Sequence, residues 1–158
     1  MTHYWLLKSE PSCFSIEDLK QSPHQTTHWD GIRNYQARNF MRDNMQIGDK
    51  AFFYHSSCPF PGIVGTMTVV QTAYPDHTAF DPNSDHPDPK STPEKPRWFM
   101  VDVRFEHEFK HLIPLESLKK QPELQHMQLL QKGNRLSILP ITPNDWAFIN
   151  TLGETSYV

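Results

Sequence analysis

Residues 97–109 limit the possible fold more than any other part of this 158-residue chain. Phe99, Val101, Val103 and Phe105 alternate with Trp98, Met100, Asp102 and Arg104. A period of two is that of a β-strand with one buried face, and it cannot form one side of an α-helix. Such a strand carries unpaired N–H and C=O groups along both edges, so the rest of the chain must supply a sheet. Partner strands are expected at 4–8, a compact apolar run ending before Pro11, and at 51–55 after the Gly48-Asp49 turn. Others are expected at 63–73, with Val64, Val69 and Val70, and at 135–141.

Helices are expected between these strands. Ser15 and Asp18 have capping-box spacing, with Ile16 and Leu19 beyond them on one face. Residues 21–28 are polar and read as a break. A second helix is expected over 34–45, with Tyr35, Phe40, Met41 and Met45 as its apolar side. Short helices are expected after Pro114 and over 123–130. Thr142-Pro143-Asn144-Asp145 opens a last helix, with an N-cap, proline at the first position and an acid at the third; Trp146, Ile149 and Leu152 follow and Gly153 closes it. Residues 75–96 are rich in proline and aspartate and read as one long loop, because neither flank is long enough for a comfortable separate domain. Strands and helices do not alternate as in a doubly wound sheet. The expected class is α+β, with five or six short strands in a sheet curled or closed into a small barrel and helices gathered between them. Residues 1–153 are expected to form one domain, with 154–158 as a C-terminal tail.

Composition narrows the function. Leu, Ile, Val and Phe make up 36 of the 158 residues, above the ~20% below which disorder is expected. Fifteen basic and 18 acidic side chains give a formal charge of −3, which argues against a general polyanion binder. No apolar run approaches the ~18 residues of a membrane span, and the N-terminal residues read as neither signal nor transit peptide. Two cysteines, Cys13 and Cys58, make neither a disulfide framework nor a CxxC site. A cytoplasmic protein is expected, with a monomer favoured. No Walker loop, GxGxxG, HExxH or GxSxG occurs, so no motif points to an enzyme.

Three stretches could carry chemistry. From Gly31 to Arg42 there are three arginines and no acid. On a continuous helix Asn34, Arg38 and Arg42 would share a face, with Arg33 just before it. Guanidinium groups are suited to phosphate, and Trp29 lies beside them. The competing reading is a solvated face paired with Glu10, Asp30 or Asp43. Lys8-Ser9-Glu10-Pro11 leaves the first strand with donors and acceptors that could read the edge of a base against Trp29 or Trp5. His55-Ser56-Ser57-Cys58 could hold a Cys–His nucleophile pair, although a small buried thiol is the plainer reading of either cysteine. The aspartates and histidines of the 75–96 loop lack the spacing of a calcium or zinc site, so neither metal nor cofactor is expected.

Taken together, several stretches resemble the EVE domain. They are Tyr4-Trp5-Leu6-Leu7-Lys8-Ser9-Glu10-Pro11, Trp29-Asp30-Gly31-Ile32-Arg33-Asn34-Tyr35-Gln36-Ala37-Arg38-Asn39-Phe40, and Gly48-Asp49 with Phe53-Tyr54-His55-Ser56. Ile63-Val64-Gly65, Ala73-Tyr74-Pro75-Asp76, Arg97-Trp98-Phe99-Met100-Val101-Asp102-Val103 and Arg135-Leu136-Ser137-Ile138 follow in family order. The likeness is to a stand-alone bacterial member. It implies an α+β, PUA-like fold, a small mixed β-barrel of five to six strands with peripheral helices allied to YTH and ASCH domains, and recognition of a modified base such as a 5-methylcytosine derivative. By the likeness to YTH domains, Lys8, Ser9 and Trp29 would belong to the base pocket. Glu10, Asn34, His55 and Ser56 fall in EVE-like motifs and would read the polar edge.

The residues and the resemblance together suggest one mechanism. An extruded base would stack on Trp29, Ser9, Glu10 and Asn34 would bond its edge, and Arg33, Arg38 and Arg42 would hold phosphates of a DNA or RNA partner. Two alternatives stand beside this reader: an enzyme using Glu10 and His55 on a modified nucleotide or small heterocycle, and a small-molecule-binding domain.

Overall fold

The computed structural model of the protein describes residues 2–154. Among them, six strands form one sheet: β1 (Tyr4–Ser9), β2 (Thr26–Trp29), β3 (Lys50–His55), β4 (Gly62–Pro75), β5 (Phe99–Pro114) and β6 (Ile138–Ile141). Their order is β2-β5-β4-β3-β1-β6. β1 and β3 run parallel, and every other neighbouring pair is antiparallel. The helices are α1 (Ile16–Gln21), α2 (Tyr35–Asn39), α3 (Leu115–Lys119) and α4 (Pro143–Glu154). The α+β class and six strands match expectation. Of the two expected forms the sheet takes the curled one and is not closed, because the outer strands β2 and β6 do not pair with each other. Repeated register shifts along β4 and β5 bend this open sheet instead.

The central strands are buried on both faces. Trp5 and Leu7 of β1 join Phe53 of β3, Val101 and Val103 of β5, and Ile16 and Leu19 of α1 in one core. Leu6 of β1 joins Phe52 and Tyr54 of β3, Leu118 of α3 and Ile149 of α4 in a second. Two covered faces explain why 5–7 and 51–54 read as unbroken apolar runs, whereas the polar Arg104 on β5 is exposed. Trp146 of α4 stacks on Phe52 at 4.2 Å and on Tyr4 at 4.9 Å. α4 runs through Gly153, which does not end it: a side chain there would begin 2.4 Å from the Phe109 ring. Of the expected 154–158 tail, Glu154 completes α4 and 155–158 lie outside the described residues.

Other boundaries depart from the sequence reading. Residues 26–29, expected within a break, form β2, whose Thr27 and Trp29 pair with Val103 and Val101. The helix expected over 34–45 is five residues of α2 followed by a π-helical turn, Phe40–Asn44. That turn closes with the Met45 N–H donating to the Phe40 carbonyl at 3.0 Å. It contains more residues per turn than an α-helix, so the expected Asn34–Arg38–Arg42 line is not continued. The helix expected over 123–130 is two 3₁₀ turns, Pro122–Leu124 and Gln128–Leu130. β5 runs on to Pro114, and β6 begins only at Ile138.

The 75–96 loop contains one 3₁₀ turn, His77–Ala79, and is tied down along its length. Asp76 is fully buried; its carboxylate accepts from Gly31 N–H at 2.9 Å, Thr78 N–H at 2.9 Å and Arg33 Nη1 at 3.1 Å. Arg33 also donates to the His86 carbonyl, through Nη2 at 2.6 Å and Nε at 3.1 Å. Asp88 accepts from the Trp98 indole at 2.6 Å. Burial pushes the Asp76 carboxyl up, but the hydrogen bonds from Thr78, Gly31 and Arg33 outweigh it and hold the group below the usual range.

Two predictions follow from these buried carboxylates. Asp49 is 1% exposed and accepts from His3 N–H, Gln46 N–H and the Trp5 indole at 3.0–3.1 Å. Asp49→Ala removes the acceptor of the buried Trp5 indole and of two partly buried N–H groups and should cost about 3 kcal/mol in urea unfolding. For Asp76, whose folded pKa is depressed, the stabilisation is complete above about pH 5 and fades as pH falls below the unfolded value of ~3.9. Amide exchange in residues 77–90 should therefore report constant protection from pH 7 to 5 and declining protection below pH 4. Asp76→Asn should remove that decline and lower protection throughout.

Candidate functional site

The parallel pairing of β1 with β3 brings the C-terminal ends of both strands to one rim of the sheet. β1 leaves this rim as Lys8-Ser9-Glu10 and turns back, with Cys13 and Phe14 N–H groups donating to the Glu10 carbonyl at 2.9 Å. The end of β2 and the following strap, Asp30–Ile32, form the facing wall. Asp85 and His86 of the long loop and Ser137 before β6 complete a cleft of about 520 Å³. That volume is in the range of a small-ligand site.

Lys8, Ser9, Glu10 and Trp29 all line the cleft. Ser9 Oγ donates to the Phe14 carbonyl at 2.6 Å and keeps lone pairs for a further donor. Trp29 is 6% exposed and packs edge-on against Phe53 at 5.2 Å and Phe14 at 6.4 Å. Its indole N–H donates to no protein group among the described residues, whereas those of Trp5 and Trp98 each meet an aspartate. Lys8 is in phase with Leu6, so its ammonium lies over the Tyr54 ring, 5.8 Å from its centre. It forms no ion pair among the described residues, and burial lowers its pKa. Glu10 is exposed.

Asn34, His55 and Ser56 are not brought into the cleft wall. Asn34 caps α2, its Oδ1 accepting from Ala37 N–H at 3.0 Å. His55 accepts from Ile16 N–H at 3.2 Å, so it caps α1; burial is the main reason its pKa is lowered. This bond occupies the ring nitrogen that a Cys–His or Glu–His pair would use. Ser56 N–H donates to the Ser9 carbonyl at 3.0 Å and so ties the β3 exit to the β1 exit.

The three arginines are held differently. Arg33 clamps the long loop as described, and Arg42 pairs with its neighbour Asp43 at 2.8 Å on the surface. Arg38 donates to the Arg97 carbonyl at 2.9 Å and to Asn39 Oδ1 at 2.8 and 3.1 Å. Alone of the three it forms no ion pair among the described residues, and the counter-charge that senses it, Asp43, is already bonded to Arg42. The loop aspartates accept from their own turns, Asp81 from Asn83 N–H and Asp88 from Lys90 N–H. No group of three His, Cys, Asp or Glu able to hold a metal occurs among the described residues.

Several wall residues escaped the sequence reading. Asp30 Oδ2 lies 3.7 Å from His28 Nε2 and 3.5 Å from His86 Nε2, and the latter atom is buried with no hydrogen-bond partner. Gly31 has φ +77°, and a side chain there would begin 2.8 Å from that nitrogen. The signal for this wall was the Thr26-Thr27-His28-Trp29 run, rich in β-branched and aromatic residues, which places Asp30 and Gly31 at a strand end. Nothing local points to Asp85 or His86. Cys13, expected to be a buried thiol, is exposed in the cleft wall.

The sequence matches the EVE domain family model over residues 3–152. Human thymocyte nuclear protein 1 is 47% identical over 98% of this chain and 75% of its own length. The solved structure of human THYN1 in complex with 5-methylcytosine-containing DNA aligns with a TM-score of 0.92 at 47% identity, covering 98% of this chain and 99% of that one. A YTH domain from Zygosaccharomyces rouxii shares the fold alone, with a TM-score of 0.53 and 14% identity over 97% of this chain and 87% of its own. No helix among the described residues is long and apolar enough to cross a membrane. On the match over residues 3–152 and the 47% identity, the chain belongs to the EVE domain family and has its α+β PUA-like fold.

Proposed function

We propose that this protein is a nucleic-acid-binding reader that captures one modified base, such as a 5-methylcytosine derivative, in the cleft beside Trp29. The observation that carries this reading is the likeness to human THYN1, which binds 5-methylcytosine-containing DNA and shares 47% of its residues and a TM-score of 0.92 with this chain. In this reading Trp29 forms the apolar wall and offers its free indole N–H to a base carbonyl. Ser9 accepts from, and Glu10 or Asp30 bonds, an exocyclic amine, since carboxylates accept from the amino group of cytosine. Lys8 and Arg38 supply the positive charges for flanking phosphates. Asn34, His55, Ser56 and Arg33 act one step back, holding the strap, the strand exits and the long loop in place, and Arg42 is taken up by its neighbour Asp43. The free thiols Cys13 and Cys58 support a reducing compartment such as the cytoplasm.

A single buried methyl contributes only about 0.8 kcal/mol, so methyl contact alone should favour the modified base about fourfold. Fluorescence-anisotropy titration of oligonucleotides carrying one 5-methylcytosine or 5-hydroxymethylcytosine, against unmodified strands, tests the reading. Preference for a modified strand is expected. Ser9→Ala should weaken modified and unmodified cytosine strands together, since the exocyclic amine is common to both, and Arg38→Ala should weaken all strands alike while reducing the salt slope of log K by about 0.7 on single strands. Equal affinity for modified and unmodified strands, or no binding at low salt, would overturn it.

A further inference from the structure

Beyond the cleft, the strap that forms its wall continues into an aromatic and cationic stack. Asn34 caps α2, and Tyr35 follows as its first residue. Tyr35 is one of the few large apolar side chains left outside, 52% exposed. Its ring stacks on Trp98 with centroids 4.8 Å apart and planes 25° from parallel. Trp98 is itself 6% exposed and is held by its indole bond to Asp88, so the support is rigid.

The arginines define which side is open. Arg38 lies 4.7 Å from the centre of Tyr35 and 6.0 Å from that of Trp98. Were Arg38 directly opposite Trp98 across Tyr35, the two would be nearly twice as far from each other as from the ring between them. Arg38 therefore lies over the Tyr35 ring from the side, and no ring or cation sits directly opposite Trp98 among the described residues. Arg33 completes the support, 5.5 Å from the Trp98 ring. Three of the five guanidinium donors of Arg38 are used, on Asn39 and Arg97, which leaves two beside the open ring.

We propose that the open face of Tyr35 is a stacking platform for the nucleobase next to the captured one, with the spare donors of Arg38 on the phosphate between them. The proposal rests on the reader function above and deepens it by extending the site to a second nucleotide. The spacing allows it. Ile32 in the cleft wall and Tyr35 are three residues apart, so at most about 10 Å of chain separates them, a span that one flexible nucleotide step can bridge. An exposed aromatic backed by a buried one, with a guanidinium beside it that forms no ion pair among the described residues, has the composition of a single-strand stacking site. An occupant without a flat π-face would gain nothing from Tyr35, and one without an anion would leave Arg38 unused.

The test uses single-stranded oligonucleotides with a central 5-methylcytosine and, in turn, an abasic site immediately 5′ or 3′ of it. Wild-type protein should lose about 5- to 150-fold in affinity when the abasic site falls on one particular side, the range for losing one base stack. Tyr35→Ala should lose as much on the intact strand and become insensitive to that abasic site, whereas Tyr35→Phe should behave as wild type. Unchanged melting of Tyr35→Ala shows that the loss is not unfolding. Wild-type affinity in Tyr35→Ala, with preference for the modified strand intact, overturns the platform and leaves the pocket standing. Loss of modified-strand preference in the wild type itself overturns the pocket, and with it the claim that the platform serves a neighbour of the captured base.

Discussion

Parallel pairing of β1 with β3 is the constraint on which the rest of the molecule depends. Two parallel strands cannot be joined by a tight turn; the chain must leave one end of the sheet and return to the other. Here that connection is residues 10–49, which hold α1, β2, the strap and α2. The exits of β1 and β3 therefore lie side by side, held by the Ser56–Ser9 backbone bond, and the connecting segment must pass in front of them. The cleft is the space between the β1 exit and that segment. At the opposite end, Asp49 closes the return by gathering His3, Trp5 and Gln46 on one carboxylate.

The long loop forms the third wall for a similar reason. The chain must pass from the end of β4 to the start of β5, which pair with each other, and it detours over the strap on the way. A loop so rich in proline buries little apolar surface, so it is held by polar contacts instead. Asp76, Arg33 and the His86 carbonyl form that clamp. Of the three arginines that follow the strap, Arg33 is thereby taken by the fold and Arg42 is neutralised by Asp43. The local charge left for a polyanion is that of Arg38 and Lys8. This is a narrower basic surface than three arginines without an intervening acid suggest, and it suits one or two nucleotides better than a long polymer.

Legibility in the sequence followed the range of the forces involved. The capping box of Ser15 and Asp18 forms both of its bonds, and Thr142 caps α4 through the Asp145 N–H, because these contacts span three residues. β1, β3 and β4 were visible because burial on both faces demands continuous apolar residues. β2 was missed because an outer strand of Thr26-Thr27-His28-Trp29 takes its stability from pairing with β5, about seventy residues away. The helix over 34–45 failed at Phe40, where burial of Met41 and Met45 is met by a π turn that no local rule announces.

For the site, the order of residues sets the chemistry available: Lys8, Ser9 and Glu10 at a strand exit, Trp29 before a Gly-containing turn, and arginines without a nearby acid. Those assignments depend only on neighbours along the chain. Which of these groups meet is a matter of long-range packing. It drew Lys8, Ser9, Glu10 and Trp29 into one cleft with Asp30 and His86, turned Asn34 and His55 into helix caps, and gave Arg33 to the loop. A buried N–H or carboxylate must find a partner wherever the fold places it, and a polar side chain that satisfies that demand is no longer free for a ligand.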